Sequence, residues 1–210
     1  MHIDLRTTER SWIDVYRLCI SFINPRPIAL VSTVSPQGAQ NLAPFSFYNM
    51  VSANPPVVMF CPGLRRDGAG KDTLRNVHAT PEFVVATVTK DIARLMAACA
   101  ADLPYGESEF DFSGLSPAPA SRVRPPLVRE AKVNIECALR QIVTTGDQPG
   151  SSSVVFGDVL AIHVADDVLD GAGLCDPHKL RTVGRLGGQY YADVQAPYEL
   201  EIPKAGRPRS

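Results

Sequence analysis

The 210-residue sequence has no G-x-G-x-x-G after a strand-type run, no G-x-S-x-G, no H-E-x-x-H and no C-x-x-C. Those absences argue against a Rossmann nicotinamide domain, a nucleophile elbow, a zinc hydrolase and a dithiol centre, and no metal is expected. Cysteine is scarce and odd in number: Cys19, Cys61, Cys99, Cys137 and Cys175 read as small buried hydrophobes in a reducing compartment. Neither sign of charge dominates, with 21 Lys and Arg against 22 Asp and Glu. There is thus no electrostatic footprint for nucleic acid or an anionic membrane, and an anionic ligand needs a local cluster of cations. Met1 to Arg6 carries no signal-peptide pattern and no apolar run reaches membrane length, so a cytoplasmic protein is expected.

Strand-type runs are what the chain does have. Pro27–Val34, Val57–Cys61, Phe83–Thr89, Val133–Val143 and Val154–Val164 are rich in β-branched residues and bounded by turn formers. In the fourth run, Ile135, Cys137, Leu139 and Gln141 alternate with Glu136, Ala138, Arg140 and Ile142, the pattern of a half-buried antiparallel strand. Gly150–Ser153 makes a hairpin return into the fifth. A helix capped by Asp72 or Thr73 is expected to stop before Pro81, and a second runs over Asp91–Ala101 with Ile92, Leu95, Met96 and Cys99 on one face. Few short helices around antiparallel strands predict a mostly β fold, a β-barrel, in a single domain over residues 1–200. Residues 103–126, rich in Pro, Ser and Gly with Tyr105, Phe110 and Phe112, form a long loop, either a lid or a surface excursion. Residues 201–210 form a tail.

Between Asn24 and Thr73 the residue types suit a flat ring carrying a phosphate, that is, flavin mononucleotide (FMN). Lys71 and Thr73 stand at a helix start, where first-turn amides are unpaired, and Arg65 or Arg66 can reach the same anion. Asp72 competes for those amides as a cap, and the group also fits a plain helix start with solvated neighbours. Asn41, Ser46 and Asn49, with backbone amides around Ala43 and Phe45–Tyr48, offer hydrogen bonds to a ring edge, and Pro44 stiffens the segment. Phe45, Phe47 and Tyr48 also read simply as core. Gly184-Arg185-Leu186-Gly187-Gly188 permits close backbone approach with a charge, but glycine pairs mark ordinary turns too. His163, near a strand end, is a weak acid–base candidate and more readily a satisfied structural histidine. No catalytic residue is certain.

Taken in order, N-P-R-P-I-A-L-V-S-T-V at 24–34, N-L-A-P-F-S-F-Y-N at 41–49, N-P-P-V-V-M-F at 54–60, K-D-T-L-R-N at 71–76, E-F-V-V at 82–85 and P-H-K-L-R-T-V-G-R-L-G-G-Q-Y at 177–190 resemble the flavin reductase-like FMN-binding proteins of the split β-barrel fold. The resemblance implies a homodimer with FMN at the subunit interface. It implies ring contacts along Asn41–Asn49, Leu42, Ala43, Pro44, Ser46, Phe47 and Tyr48 included, and phosphate contacts at Lys71, Asp72 and Thr73. Arg26 and Thr33 match positions beside the cofactor, and Arg185, Leu186 and Gly187 lie close to it or reach it from the partner chain. It implies hydride transfer from NADH or NADPH to flavin, with an oxygenase as a possible recipient. An FMN-binding electron carrier without nicotinamide chemistry is the alternative. The Arg65–Gly70 insertion departs from the family and leaves open which arginine meets the phosphate.

Overall fold

The structure, a computed structural model, describes residues 1–65, 68–104 and 106–202. Arg66, Tyr105 and residues 203–210, named above as phosphate ligand, loop aromatic and tail, lie outside the described residues.

The chain opens with α1 (Trp12–Phe22), capped by Ser11, whose Oγ accepts from the Asp14 amide. The apolar run at Ile28–Val34 becomes β1 (Ala29–Val34), buried at every position. A turn through Gly38 leads into β2 (Gln40–Phe45), followed by β3 (Tyr48–Ala53) and β4 (Pro56–Phe60). The segment Asn41–Asn49, expected as a loop, is thus two strands joined by Ser46 and Phe47 alone. After α2 (Asp72–Ala79) comes β5 (Glu82–Thr87). The expected helix at 91–101 is a 3-10 turn over Lys90–Ile92 running into α3 (Ala93–Ala98), with Ile92, Met96 and Cys99 buried as its pattern required. The long loop is not structureless: it carries α4 (Glu109–Ser113) and the short β6 (Pro117–Ala118), which pairs with β7 (Leu127–Val128). Two long strands, β8 (Val133–Thr144) and β9 (Ser153–Val164), form the expected hairpin. The chain continues through α5 (Pro177–Leu180) to β10 (Val183–Arg185) and β11 (Tyr191–Asp193).

The main sheet has the strand order β2-β1-β5-β8-β9-β4-β3, with every neighbouring pair antiparallel. Its two edges, β2 and β3, are consecutive in the chain and separated by two residues, a link that spans at most about 11 Å. The sheet must therefore curl until its edges meet at Ser46–Phe47. It closes there by the chain and not by a ladder, which is a split barrel. The Cys61 amide donates to the Phe47 carbonyl at 2.9 Å and pins this corner.

Side chains from all seven strands, among them Ala29, Val31, Phe45, Phe60, Phe83, Cys137 and Val155, fill the interior. Leu30, Leu42 and Ala86 point the other way, into a second cluster built with Met96, Cys99 and Phe110. β1 is therefore buried on both faces, which is why its sequence is continuous rather than alternating. Strict alternation in β8 fails at Leu139–Gln141, where a bulge lets Ile142 join Ile135, Cys137 and Leu139 against the interior. No helix among the described residues is long and apolar enough to cross a membrane.

Candidate functional site

As an edge strand, β2 turns alternate backbone groups away from the sheet. The Leu42 amide points outward, because it donates to Glu109 Oε2 at 2.8 Å, and alternation then turns Pro44 outward as well. The Asn41, Ala43 and Phe45 amides consequently face β1 and belong to its ladder. This corrects the expectation of free amides around Ala43 and Phe45. With Leu42 occupied and Pro44 lacking an N–H, the edge presents carbonyl acceptors. The donors come from the link, where the Ser46 and Phe47 amides have no backbone partner among the described residues. The Leu42 side chain itself is core.

A cavity of about 510 Å³ runs along this edge, lined by Asn41, Ala43, Pro44, Arg65, Lys71 and Glu109 among others. Beneath it, Asn41 Nδ2 donates to Thr33 Oγ1 at 3.1 Å and to Thr73 Oγ1 at 3.0 Å, and Asn76 Nδ2 reaches the same Thr33 oxygen at 3.1 Å. All four residues are buried, so Thr33 and Thr73 tie β1, β2 and α2 together as the floor. Among the described residues the Asn76 Oδ1 has no hydrogen-bond partner. Lys71, rather than Asp72 or Thr73, is the N-cap of α2, and no side chain caps the helix. Among the described residues the Asp72 and Thr73 amides carry no backbone partner, so two first-turn donors stand beside the lysine.

Burial pushes the Lys71 ammonium below its ordinary pKa, and the nearby Arg65 adds to the fall. Arg65 is held by carboxylates, with Asp102 at 3.0 Å and Asp72 at 3.7 Å. Glu109, from α4, was not foreseen. Burial raises its pKa, while the hydrogen bond from Leu42 pulls the other way. No motif marks it, since only the packing of the long loop brings α4 to β2.

A second cavity, of about 400 Å³, adjoins the first and shares Pro44, Leu64 and Lys71 with it. Ser46 and Phe47 line it, together with Trp12, Tyr16 and Arg17 of α1. That helix was missed; its sequence signal is the Ser11-x-x-Asp14 cap followed by Ile13, Tyr16 and Ile20 at helical spacing.

Other expected site residues lie elsewhere. Arg26 is a buried clamp: Nη1 donates to the Ile20 and Ile23 carbonyls at 3.1 and 2.5 Å, and Nη2 to Leu186 at 2.9 Å. It meets the cleft wall through Nε, 3.5 Å from Ser46 Oγ, and through the guanidinium over Phe47. Arg185 donates to the Tyr191 hydroxyl and the Gly188 carbonyl. Gly187 packs on α1, where a Cβ would fall 3.3 Å from Ser21 Cα. Tyr48 turns into the barrel, where burial raises its phenol to about 12. Asn49 is exposed and accepts from the Met50 amide at 2.9 Å. His163 meets the buried Glu136 at 2.5 Å and lines neither cavity. Among the described residues, no group of three or more His, Cys, Asp or Glu is placed to hold a metal ion.

The model of the flavin reductase like domain matches residues 22–184. An uncharacterised protein of Aquifex aeolicus is 39% identical over 188 residues, 90% of this chain and 94% of its own. Among solved structures, nitrilotriacetate monooxygenase component B from Bacillus cereus is similar with a TM-score of 0.89 and 32% identity, over 95% of this chain and 98% of that one. The 2-nitrobenzoate 2-nitroreductase NbaA of Pseudomonas fluorescens gives 0.86 and 27%, over 100% and 99%. An edge strand, an uncapped helix start and a partly desolvated lysine thus converge on one cleft inside the matched region, and the chain belongs to the flavin reductase-like family.

Proposed function

We propose that this oxidoreductase binds FMN along the open edge of β2 and reduces it with NADH or NADPH. The observation that carries the reading is the meeting of that edge with the uncapped start of α2 at Lys71, beside a cavity of about 510 Å³. The donor set fits the group. Lys71, the Asp72 and Thr73 amides and, once drawn from Asp102, Arg65 are suited to a phosphate. The Ser46 and Phe47 amides and the carbonyl edge of β2 suit the mixed donors and acceptors of the ring. When bound, FMN supplies a two-electron acceptor for a nicotinamide's hydride. Pro44 and Leu64 provide apolar surface and exclude water, while Asn41 and Thr33 hold the floor rigid. Asp72 sets the helix start and competes for Arg65.

We further propose a homodimer of one-domain chains, residues 1–200, acting in the cytoplasm. Exposed Met50, Val51, Leu160 and Ile162 are available to a second copy, and Arg185, Leu186 and Gly187 would act from there. Reduced flavin passing to an oxygenase is supported by the similarity to a monooxygenase component.

The test is a visible spectrum of the purified protein, then anaerobic addition of NADH and NADPH in turn. Flavin bands that bleach are expected. Bands that persist with both donors point instead to an FMN carrier, and no flavin uptake overturns the site. Lys71→Ala is expected to weaken FMN by about 1.5–3 kcal/mol, one charge-assisted contact, and to leave riboflavin binding nearly unchanged. Equal FMN affinity in that variant removes Lys71 from the phosphate.

A further inference from the structure

The two joined cavities differ in charge. The first is lined by Arg65 and Lys71 but also by Asp72, Asp102 and Glu109. The second is lined by Arg17 and Lys71 and, among the described residues, by no carboxylate. Its walls are aromatic: Trp12, Tyr16 and Phe47 all line it, and each is about half exposed.

These rings are braced. A Cβ on Gly150 would fall 2.6 Å from the Trp12 ring, so the indole rests directly on the tip of the β8–β9 hairpin. Tyr16 meets Phe47 edge-on, with centroids 6.5 Å apart and planes at 68°. The Arg26 guanidinium lies over the Phe47 ring, 5.9 Å from its centroid, and adds a second contact that holds it. Such a set keeps its shape without a ligand, which lowers the ordering cost of binding one. Arg17 is loosely held, its closest carboxylate among the described residues being Asp14 at 3.9 Å. Most of its donors are therefore free for an anion.

Trp12, Tyr16 and Arg17 lie before residue 22, where the family match begins. The walls at Pro44, Phe47 and Lys71 lie within it. The helix α1 thus adds its own face to a cleft whose remaining walls are those of the family domain.

We infer that this second cavity is a binding slot for a planar aromatic carboxylate, its ring held by Trp12, Tyr16 and Phe47 and its anionic group by Arg17. Ring area and braced aromatic faces supply the apolar part of recognition. The two cations, with no acid among the described lining residues, select an anion over a neutral or cationic ring. The slot shares Pro44, Leu64 and Lys71 with the first cavity, and Ser46 and Phe47 line it as well, so its occupant lies against the proposed flavin ring. Only that adjacency rests on the flavin reading; the slot itself does not.

Trp12 is the sole tryptophan of the chain, so its fluorescence reports this wall directly. The experiment titrates the purified protein, with and without added FMN, against benzoate, benzamide and cyclohexanecarboxylate, following Trp12 emission. FMN uptake is followed separately by flavin absorbance. Saturable quenching by benzoate is expected, with tenfold or greater weakening for each of the other two probes. Arg17→Ala should weaken benzoate by a similar factor and leave benzamide unchanged, and Tyr16→Ala should weaken both aromatic probes. FMN uptake and circular dichroism should match the unaltered protein in both variants. Absence of a saturable response overturns the slot, and so does benzamide binding as tightly as benzoate. FMN uptake without a benzoate response defeats the slot alone. A benzoate response without FMN uptake upholds the slot and defeats the flavin reading.

Discussion

At the residue scale, the buried carboxylate of Glu136 makes the clearest prediction. Burial alone would raise its pKa. The Ser121 hydroxyl, His163 and the Ser121 and Arg122 amides outweigh that and bring it down to about 2. In the unfolded chain the group titrates near 4.5. Between those values the unfolded state binds the extra proton, so stability is full above about pH 4.5 and is lost as pH falls toward 2. Thermal unfolding from pH 7 to pH 3 should show this loss. Glu136→Gln should flatten that part of the profile and cost about 3 kcal/mol at pH 7, since a fully buried acceptor then faces amide and hydroxyl donors with half its capacity. An unchanged profile in the variant would place the acid sensitivity elsewhere. His163, a weak catalytic candidate by sequence, does its visible work here, holding the return of the long loop to the sheet. Lys71, Asn41, Pro44 and Phe47 were legible because their residue types sit close together in the chain. Glu109 and Trp12 were not, because long-range packing brings each to the cleft and nothing local announces it.

The elements were readable where burial imposes a period. β1, β4, β5, β8 and β9 matched their runs closely, since interior strands demand β-branched residues over their whole length. β2 and β3 were read as a loop for an equally physical reason. Both are edges, and edges tolerate the Asn, Pro and Ser that a central strand rejects. The free edge that obscured β2 in the sequence is the same property on which its proposed role as a binding surface rests. Within β9, Gly157 is required by packing: a Cβ would fall 2.2 Å from Phe83 Cζ, deep in the barrel. Gly157→Ala should therefore destabilise the protein by about 1–3 kcal/mol, as overpacking does, with a lowered melting temperature. A melting temperature equal to that of the unaltered chain would show that Phe83 can move aside, against its complete burial.

For the whole molecule, the strand order β2-β1-β5-β8-β9-β4-β3 could not be derived from local pattern, because it includes the distant pairing of β4 with β9, Val57 opposite Asp158. The barrel class was legible from few helices and many strands; its closure was not. The proposed dimer belongs to this scale. Sedimentation velocity at tens of micromolar should give a single species of twice the chain mass, and a monomer under those conditions would remove the partner's Arg185 from consideration.

The seam itself has a consequence for how the molecule holds together. A complete barrel shares strain around a closed ring of hydrogen bonds, whereas here the ring is interrupted between β2 and β3, which meet only through the chain at Ser46 and Phe47. A molecule lying along β2 from Lys71 to Phe47 stands where the missing neighbour would stand and takes up bonds that a further strand would have made. The ligand is then a structural member, and an empty cleft is a barrel missing a stave. Removing it should loosen β2 and the turn after β4 first, ahead of the β8–β9 hairpin on the far wall.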